Sequence, residues 1–216
     1  MSPALSAPPL GPLDIHVWRI SLQVSPQAVA QYRESLAEDE RARANRFRLP
    51  EHERRFVVAR GFLRRLLAAY LGTRDAASLR FTYGPAGKPQ LDHGSLQFNL
   101  SHSGDLALVA LSNEYVGVDL EQIRILDYQA VGRQVFTQDA LEKIAGAPED
   151  QKAQTFCRHW VRREAQLKAL GLGIAERRPL AIPVHDLAVW PGYCAALATP
   201  VAIPTIELHD ADLAEQ

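Results

Sequence analysis

Two acidic side chains two residues apart, Asp119 and Glu121, are the first candidates for chemistry in this sequence. Over residues 115–121 the apolar Val116, Val118 and Leu120 alternate with Gly117, Asp119 and Glu121, which is the period of a strand and puts both carboxylates on one face. Carboxylates so spaced can converge on one hard cation. Mg²⁺ typically takes one or two of them and fills its shell with water and phosphate oxygens. The same alternation also describes the solvated face of an antiparallel strand. A third carboxylate, Glu164, lies one helical turn from Lys168 within residues 160–171. Together they could set a metal ligand beside a phosphate-binding ammonium, or form only a surface ion pair. Trp160 and Leu167, at helical spacing, read as core.

Residues 98–104, FNLSHSG, read as a strand running into a polar turn, with Ser101, His102 and Gly104 suited to a phosphate. No G-x-S-x-G surrounds these serines, so a hydrolase nucleophile is a weak reading. Residues 83–89, YGPAGKP, form a Gly/Pro turn presenting Lys88, an anion-binding loop or simply a loop. It lacks the GK[ST] ending of a nucleotide-binding P-loop. Arginines recur from Arg41 to Arg65, interleaved with Glu38, Asp39, Glu40, Glu51 and Glu53. Guanidinium forks suit phosphates or an acidic protein partner, and the stretch equally suits a solvated helix face. Arg64 and Arg65 are the candidates for docking such a partner.

These groups must be positioned by a modest set of elements. Alternation over residues 14–22, with Trp18, Ile20 and Leu22 on one side, predicts a half-buried strand. Helical spacing of Phe56, Leu63, Leu66, Leu67 and Tyr70 predicts a helix over 51–71, stopped by Gly72. Strands are expected at 97–100, 106–111 and 115–121, a helix at 155–170 stopped by Gly171, and β character at 186–190 and 193–198. Strand, long helix, then strands thus occur in both halves. The fold expected is α+β, with two similar lobes, each a small antiparallel sheet with a long helix. The lobes span residues 14–113 and 114–216, after a loose tail over 1–13.

The chain has 216 residues and a formal net charge of −1, which supplies no general attraction to nucleic acid or membrane. No apolar run reaches the roughly 18 to 20 residues of a membrane span. The N-terminus lacks the pattern of a secretory signal. Cys157 and Cys194 are far apart in sequence and have no metal-type spacing, which argues against a disulfide framework or a cysteine zinc site and for the reducing cytoplasm.

The order of the motifs is more specific than any one of them. GVDLE at 117–121, followed by W-x-x-R-E-A-x-x-K-x-x-G-x-G at 160–173, resembles the two signatures of the 4′-phosphopantetheinyl transferase superfamily. Gly87-Lys88-Pro89 and Phe98-Asn99-Leu100-Ser101-His102-Ser103 resemble its GKP and N-x-SH-S segments. The resemblance runs from about Arg43 to Gly173, and the length is similar to that of the Sfp type. It implies a monomer with pseudo-twofold symmetry and the site between its lobes, a cytoplasmic enzyme moving phosphopantetheine from coenzyme A to a serine of an acyl, peptidyl or aryl carrier protein. Asp119, Glu121 and Glu164 would bind Mg²⁺, with Mn²⁺ able to replace it, and Glu164 and Lys168 would be catalytic. Coenzyme A would meet Arg43, Arg55, Gly87, Lys88, Pro89, Asn99, Ser101, His102, Asp119, Arg163 and Lys168.

Two positions depart from the family pattern. Arg163 stands where lysine is usual, keeping the charge in a planar fork. Ala140 stands where Sfp-type relatives commonly carry a glutamate proposed as general base. The departure leaves open a silent homologue that only binds coenzyme A. A nucleic-acid-binding module is the other competing class, and the near-neutral charge argues against it.

Overall fold

A computed structural model describes residues 7–124, 128–176 and 178–211. In chain order the elements are β1 (Asp14–Ser21), α1 (Pro26–Glu34), α2 (Glu38–Ala44), α3 (Pro50–Tyr70), β2 (Phe81–Tyr83), β3 (Pro89–Leu91), β4 (Gln97–Ser103), β5 (Leu106–Ser112) and β6 (Gly117–Gln122). There follow α4 (Tyr128–Val135), α5 (Gln138–Ala145), a 3₁₀ turn, α6 (Lys152–Leu170), β7 (Val184–Asp186), β8 (Tyr193–Ala198) and β9 (Thr205–Ala211). The chain is α+β, built of small sheets and helices. No helix among the described residues is long and apolar enough to cross a membrane.

Local chemistry sets the two long helices. Pro50 opens α3 at a position where no backbone donor is needed. Gly171 closes α6 in the left-handed region, at φ 65°, with its N–H returning to the last turn.

The first sheet has strand order β4-β5-β1-β9 and the second β6-β8-β7. Apolar side chains of β1, β4 and β5, including Trp18, Ile20, Phe98 and Val109, pack against α1 and α3 through Tyr32, Phe62, Leu63 and Leu66. The other face of β1 and β5, with Ile15, Val17, Leu108 and Ala110, packs on Val116, Val118 and Leu120 of β6 and on Leu197 of β8. Val161, Ala165 and Ala169 of α6 cover the far side of the second sheet at Ala196 and Ala198. The layers therefore run helices, sheet, sheet, helix.

Several expectations are corrected by this arrangement. β1 is buried on both faces because the second sheet covers the side expected to be wet. β4 continues through Ser101, His102 and Ser103, so the polar turn begins only at Gly104, whose φ is +60°. Residues 205–211, which fall in the expected second lobe, form β9 and pair in parallel with β1 of the first sheet. α1, α2, α4, α5, β2, β3 and β9 were not expected as elements, and the β character expected over 186–190 gives way to β7, which ends at Asp186.

Candidate active site

β4 and β6 are edge strands of different sheets, and they meet through side chains rather than a backbone ladder. Asn99 Oδ1 accepts the Val118 N–H at 2.8 Å, Ser101 Oγ that of Leu120 at 3.3 Å, and Ser103 Oγ that of Gln122 at 3.1 Å. Alternation along β4 thus supplies one polar side chain for each unpaired donor of β6, which satisfies the buried edge. The two hydroxyls then donate onward: Ser101 to Asp119 Oδ1 and Ser103 to Glu121 Oε2, both at 2.9 Å. Each serine therefore fixes a carboxylate and the strand beneath it.

α6 reaches this seam at Gly117. A Cβ on that residue would fall 2.2 Å from both Ala165 O and Ala169 N, so glycine is what lets the helix backbone lie against the strand. Contact at this point brings the Glu164 and Lys168 side of α6 over the β6 carboxylates. Lys168 Nζ donates to Asp119 Oδ1 at 2.6 Å and to Ser101 Oγ at 3.0 Å. Asp119, Glu121, Glu164 and Lys168 line one cleft of about 350 Å³ with His102 and Trp160. Trp160, expected in the core, is a wall of the cleft.

The electrostatics are those of crowded acids. Burial pushes the Asp119 carboxyl up, against the pull of Lys168 and its hydrogen bonds. Burial and the neighbouring Asp119 raise Glu121, and the same two causes raise Glu164, where Lys168 partly offsets them. One oxygen, Asp119 Oδ2, is buried without a hydrogen-bond partner among the described residues. An all-oxygen donor set with a buried lone pair left over fits a hard cation such as Mg²⁺.

Two family models divide the chain. Residues 115–209 match the 4′-phosphopantetheinyl transferase superfamily and residues 22–114 match "4′-phosphopantetheinyl transferase, N-terminal". The 4′-phosphopantetheinyl transferase HetI of Nostoc is 38% identical over 201 residues, covering 90% of this chain and 82% of its own length. The chain belongs to the 4′-phosphopantetheinyl transferase superfamily. A putative 4′-phosphopantetheinyl transferase of Synechocystis is 35% identical over 73% of this chain and 65% of its own. Sfp of Bacillus subtilis is 22% identical over 71% of this chain and 66% of its own. The protein is thus an enzyme of phosphopantetheine transfer.

The remaining residues singled out in the transferase sequence divide by where they sit. His102 is exposed at the cleft, its pKa held down by the surrounding protein and by the cations Lys168 and Arg55. Arg55 and Arg54 share Asp105 at 2.7 and 2.8 Å, which fixes Arg55 near that histidine. Arg43 lies over the Phe56 ring, 4.9 Å from its centroid. Gly87 and Pro89 shape the β2–β3 turn, Gly87 at φ +78° and Pro89 opposite Tyr83.

Two cations turn away from the cleft. Lys88 is buried, and its Nζ donates at 3.0 Å to both Val116 O and Ala169 O, tying the turn to β6 and to the end of α6. Arg163 donates to Glu176 O at 2.6 Å and Arg178 O at 3.0 Å, clamping the loop after α6.

The expected docking face is corrected outright. Arg64 is 2% exposed, ion-paired to the buried Glu40 and hydrogen bonded to Ala76 O, Ala77 O and Leu79 O. Arg65 donates to Ser35 Oγ and Gln31 O. Both hold α3 to its neighbours, so neither is a free surface charge.

In the sequence Ser103 is read only as part of the N-x-SH-S motif and is given no role. Its signal is the alternation Asn99, Ser101, Ser103, which a turn would not need and a strand facing another strand's donors does.

Proposed function

We propose that the enzyme transfers the 4′-phosphopantetheine group of coenzyme A to a serine of an apo acyl, peptidyl or aryl carrier protein, with Mg²⁺ held by Asp119, Glu121 and Glu164. The observation that carries this reading is the buried, unpartnered Asp119 Oδ2 in a cleft that also holds Glu121, Glu164 and Lys168. Mg²⁺, or Mn²⁺ in its place, would supply neutralising charge for pyrophosphate oxygens when bound.

The chain's own residues do the rest. The carrier serine oxygen forms a bond to the β-phosphorus of coenzyme A as the bond to adenosine 3′,5′-bisphosphate breaks. Lys168 offsets charge developing on that leaving group, which is worth most in a cleft partly closed to water. Arg55 and Lys168 form a cationic rim for the phosphates of coenzyme A, and His102, its pKa held below the ordinary value, stands beside them as a neutral hydrogen-bonding group. Ser101 is already bonded to Asp119, Leu120 and Lys168, so its part is to hold Asp119 rather than to meet a phosphate directly. Lys88 and Arg163 serve coenzyme A indirectly, through the turn and loop they anchor, with Asn99, Gly87 and Pro89. Glu164 takes the serine proton directly or through one water, since Ala140 offers no carboxylate.

Beside Glu121 a mostly apolar pocket lined by Val131, Phe156, Cys157 and Trp160 suits the uncharged pantetheine arm. In this reading the Sfp-type architecture holds. Residues 14–113 and 114–216 act as pseudo-twofold lobes of one monomer, with the tail over 1–13 outside them. Two free cysteines accord with a cytoplasmic enzyme.

Incubation with coenzyme A, Mg²⁺ and a panel of apo carrier proteins, read by intact mass, tests the proposal. A carrier should gain one phosphopantetheine. Binding of coenzyme A with no mass gain on any carrier would favour the silent homologue.

A further inference from the structure

On the other side of the first sheet, away from the cleft, β1 and β9 bring together a second group of ligand atoms. His16 lies opposite Glu207, and Trp18 opposite His209, in the parallel register. Side chains opposite one another, and those two residues apart, share a face, so His16, Glu207 and His209 point the same way. Their ligand atoms all lie within 4.8 Å of one another. Glu207 Oε2 sits 3.6 Å from His16 Nε2 and 3.5 Å from His209 Nε2.

We propose that His16, Glu207 and His209 form a binding site for a divalent transition metal of the Zn²⁺ class, which fastens β9 to β1. Zn²⁺ bonds of about 2.0 to 2.2 Å place tetrahedral ligand atoms about 3.3 Å apart. Both Glu207 distances are within a few tenths of that value, and closure of the two imidazoles completes the set. Two nitrogens and one carboxylate oxygen are ligands that Zn²⁺ takes readily and Mg²⁺ does not prefer.

The surroundings are arranged as ligand support. His16 Nδ1 lies 2.6 Å from the Tyr70 hydroxyl, which also accepts Trp18 Nε1–H at 3.2 Å. With its Nδ1–H donated to Tyr70, His16 presents the Nε2 lone pair to the site, the pattern usual for metal-bound histidine. The His209 ring is stacked on Trp18 at 4.8 Å between centroids and 23° between planes, which fixes its orientation. Its Nε2 is buried yet makes no hydrogen bond among the described residues. A metal supplies the missing partner. Glu207 is half exposed, leaving the fourth position to water.

The test uses the full-length, untagged chain carrying Asp119→Ala, so that the cleft carboxylates cannot account for the signal. Co²⁺ is added after chelator treatment. The expected result is a 1:1 complex with the intense visible absorption of four-coordinate Co²⁺, displaced by Zn²⁺, and a Zn²⁺-dependent rise in melting temperature. His209→Gln and Glu207→Gln alter accessible side chains and should stay folded by circular dichroism. Each should weaken binding at least about tenfold and abolish the melting shift. Absence of the absorption, or binding unchanged in both variants, would overturn the site. Neither result bears on phosphopantetheine transfer, which is measured separately.

Discussion

Ser101 Oγ lies 2.9 Å from Asp119 Oδ1 and accepts the Leu120 N–H at 3.3 Å, so one hydroxyl holds both the carboxylate and the strand that carries it. Removing it should cost more than a neutral surface contact. Ser101→Ala leaves the buried Leu120 N–H without its acceptor and Asp119 with one donor fewer. We expect a loss of about 1 to 3 kcal/mol in denaturant unfolding, with turnover reduced and a higher Mg²⁺ concentration needed for half-maximal rate. Ser103→Ala should change both quantities less, because Glu121 is more exposed than Asp119. Equal effects, or none in Ser101→Ala, would show that the hydroxyl does not position the carboxylate.

The proton acceptor can be separated from its neighbour in sequence. Asp139 is 74% exposed and paired with Lys143 one turn along α5, outside the cleft. Asp139→Asn should therefore keep substantial activity, while Glu164→Gln loses it at saturating Mg²⁺ and coenzyme A. Comparable inactivity in the two variants would move the base one residue from Ala140 and contradict the role given to Glu164.

Lys88 makes a prediction about stability rather than turnover. Burial depresses its pKa to about 8, from an ordinary value of 10.5. Between those values the unfolded chain binds the proton more tightly than the folded one, so folding stability contributed at this position rises with pH. Below the lower value the full cost of a buried ammonium is present. Above the upper value it is gone. The unfolding free energy of the wild type relative to Lys88→Met should rise by roughly 3 kcal/mol across this window. A pH-independent difference would mean that Lys88 is not buried as a cation.

How much of this was legible in the sequence depended on whether neighbours along the chain carried the information. The helix ends at Gly72 and Gly171 and the alternation of Asp119 and Glu121 are local patterns, and the elements bearing them occur where expected. Ser101 and Ser103 misled because serine favours turns, while their real partners are donors on a strand of another sheet. In the sequence Lys88 reads as presented by a turn to an anion, and Arg64 as a surface charge for docking. Their burial depends on carbonyls and a carboxylate supplied from distant segments. β9 was missed for a similar reason, since residues 205–211 are largely exposed and gain strand order by pairing with β1 across nearly the whole chain. Sequence spacing does not reveal the proximity of the cysteines either: Cys194 stands opposite Glu121 in the β6–β8 register, and it and burial raise the pKa of the Cys157 thiol beside it.

The central claim is that a divalent cation held at Asp119, Glu121 and Glu164 enables transfer, and one titration addresses it most directly. Release of adenosine 3′,5′-bisphosphate is followed with coenzyme A and an apo carrier while Mg²⁺ is raised from a chelated baseline, for the wild type and for Asp119→Ala. The account requires a saturable Mg²⁺ dependence in the wild type, no release in chelator, and a loss of about 10²-fold or more in the folded variant. Wild-type release at full rate in chelator, or near wild-type turnover by Asp119→Ala at low Mg²⁺, would contradict it.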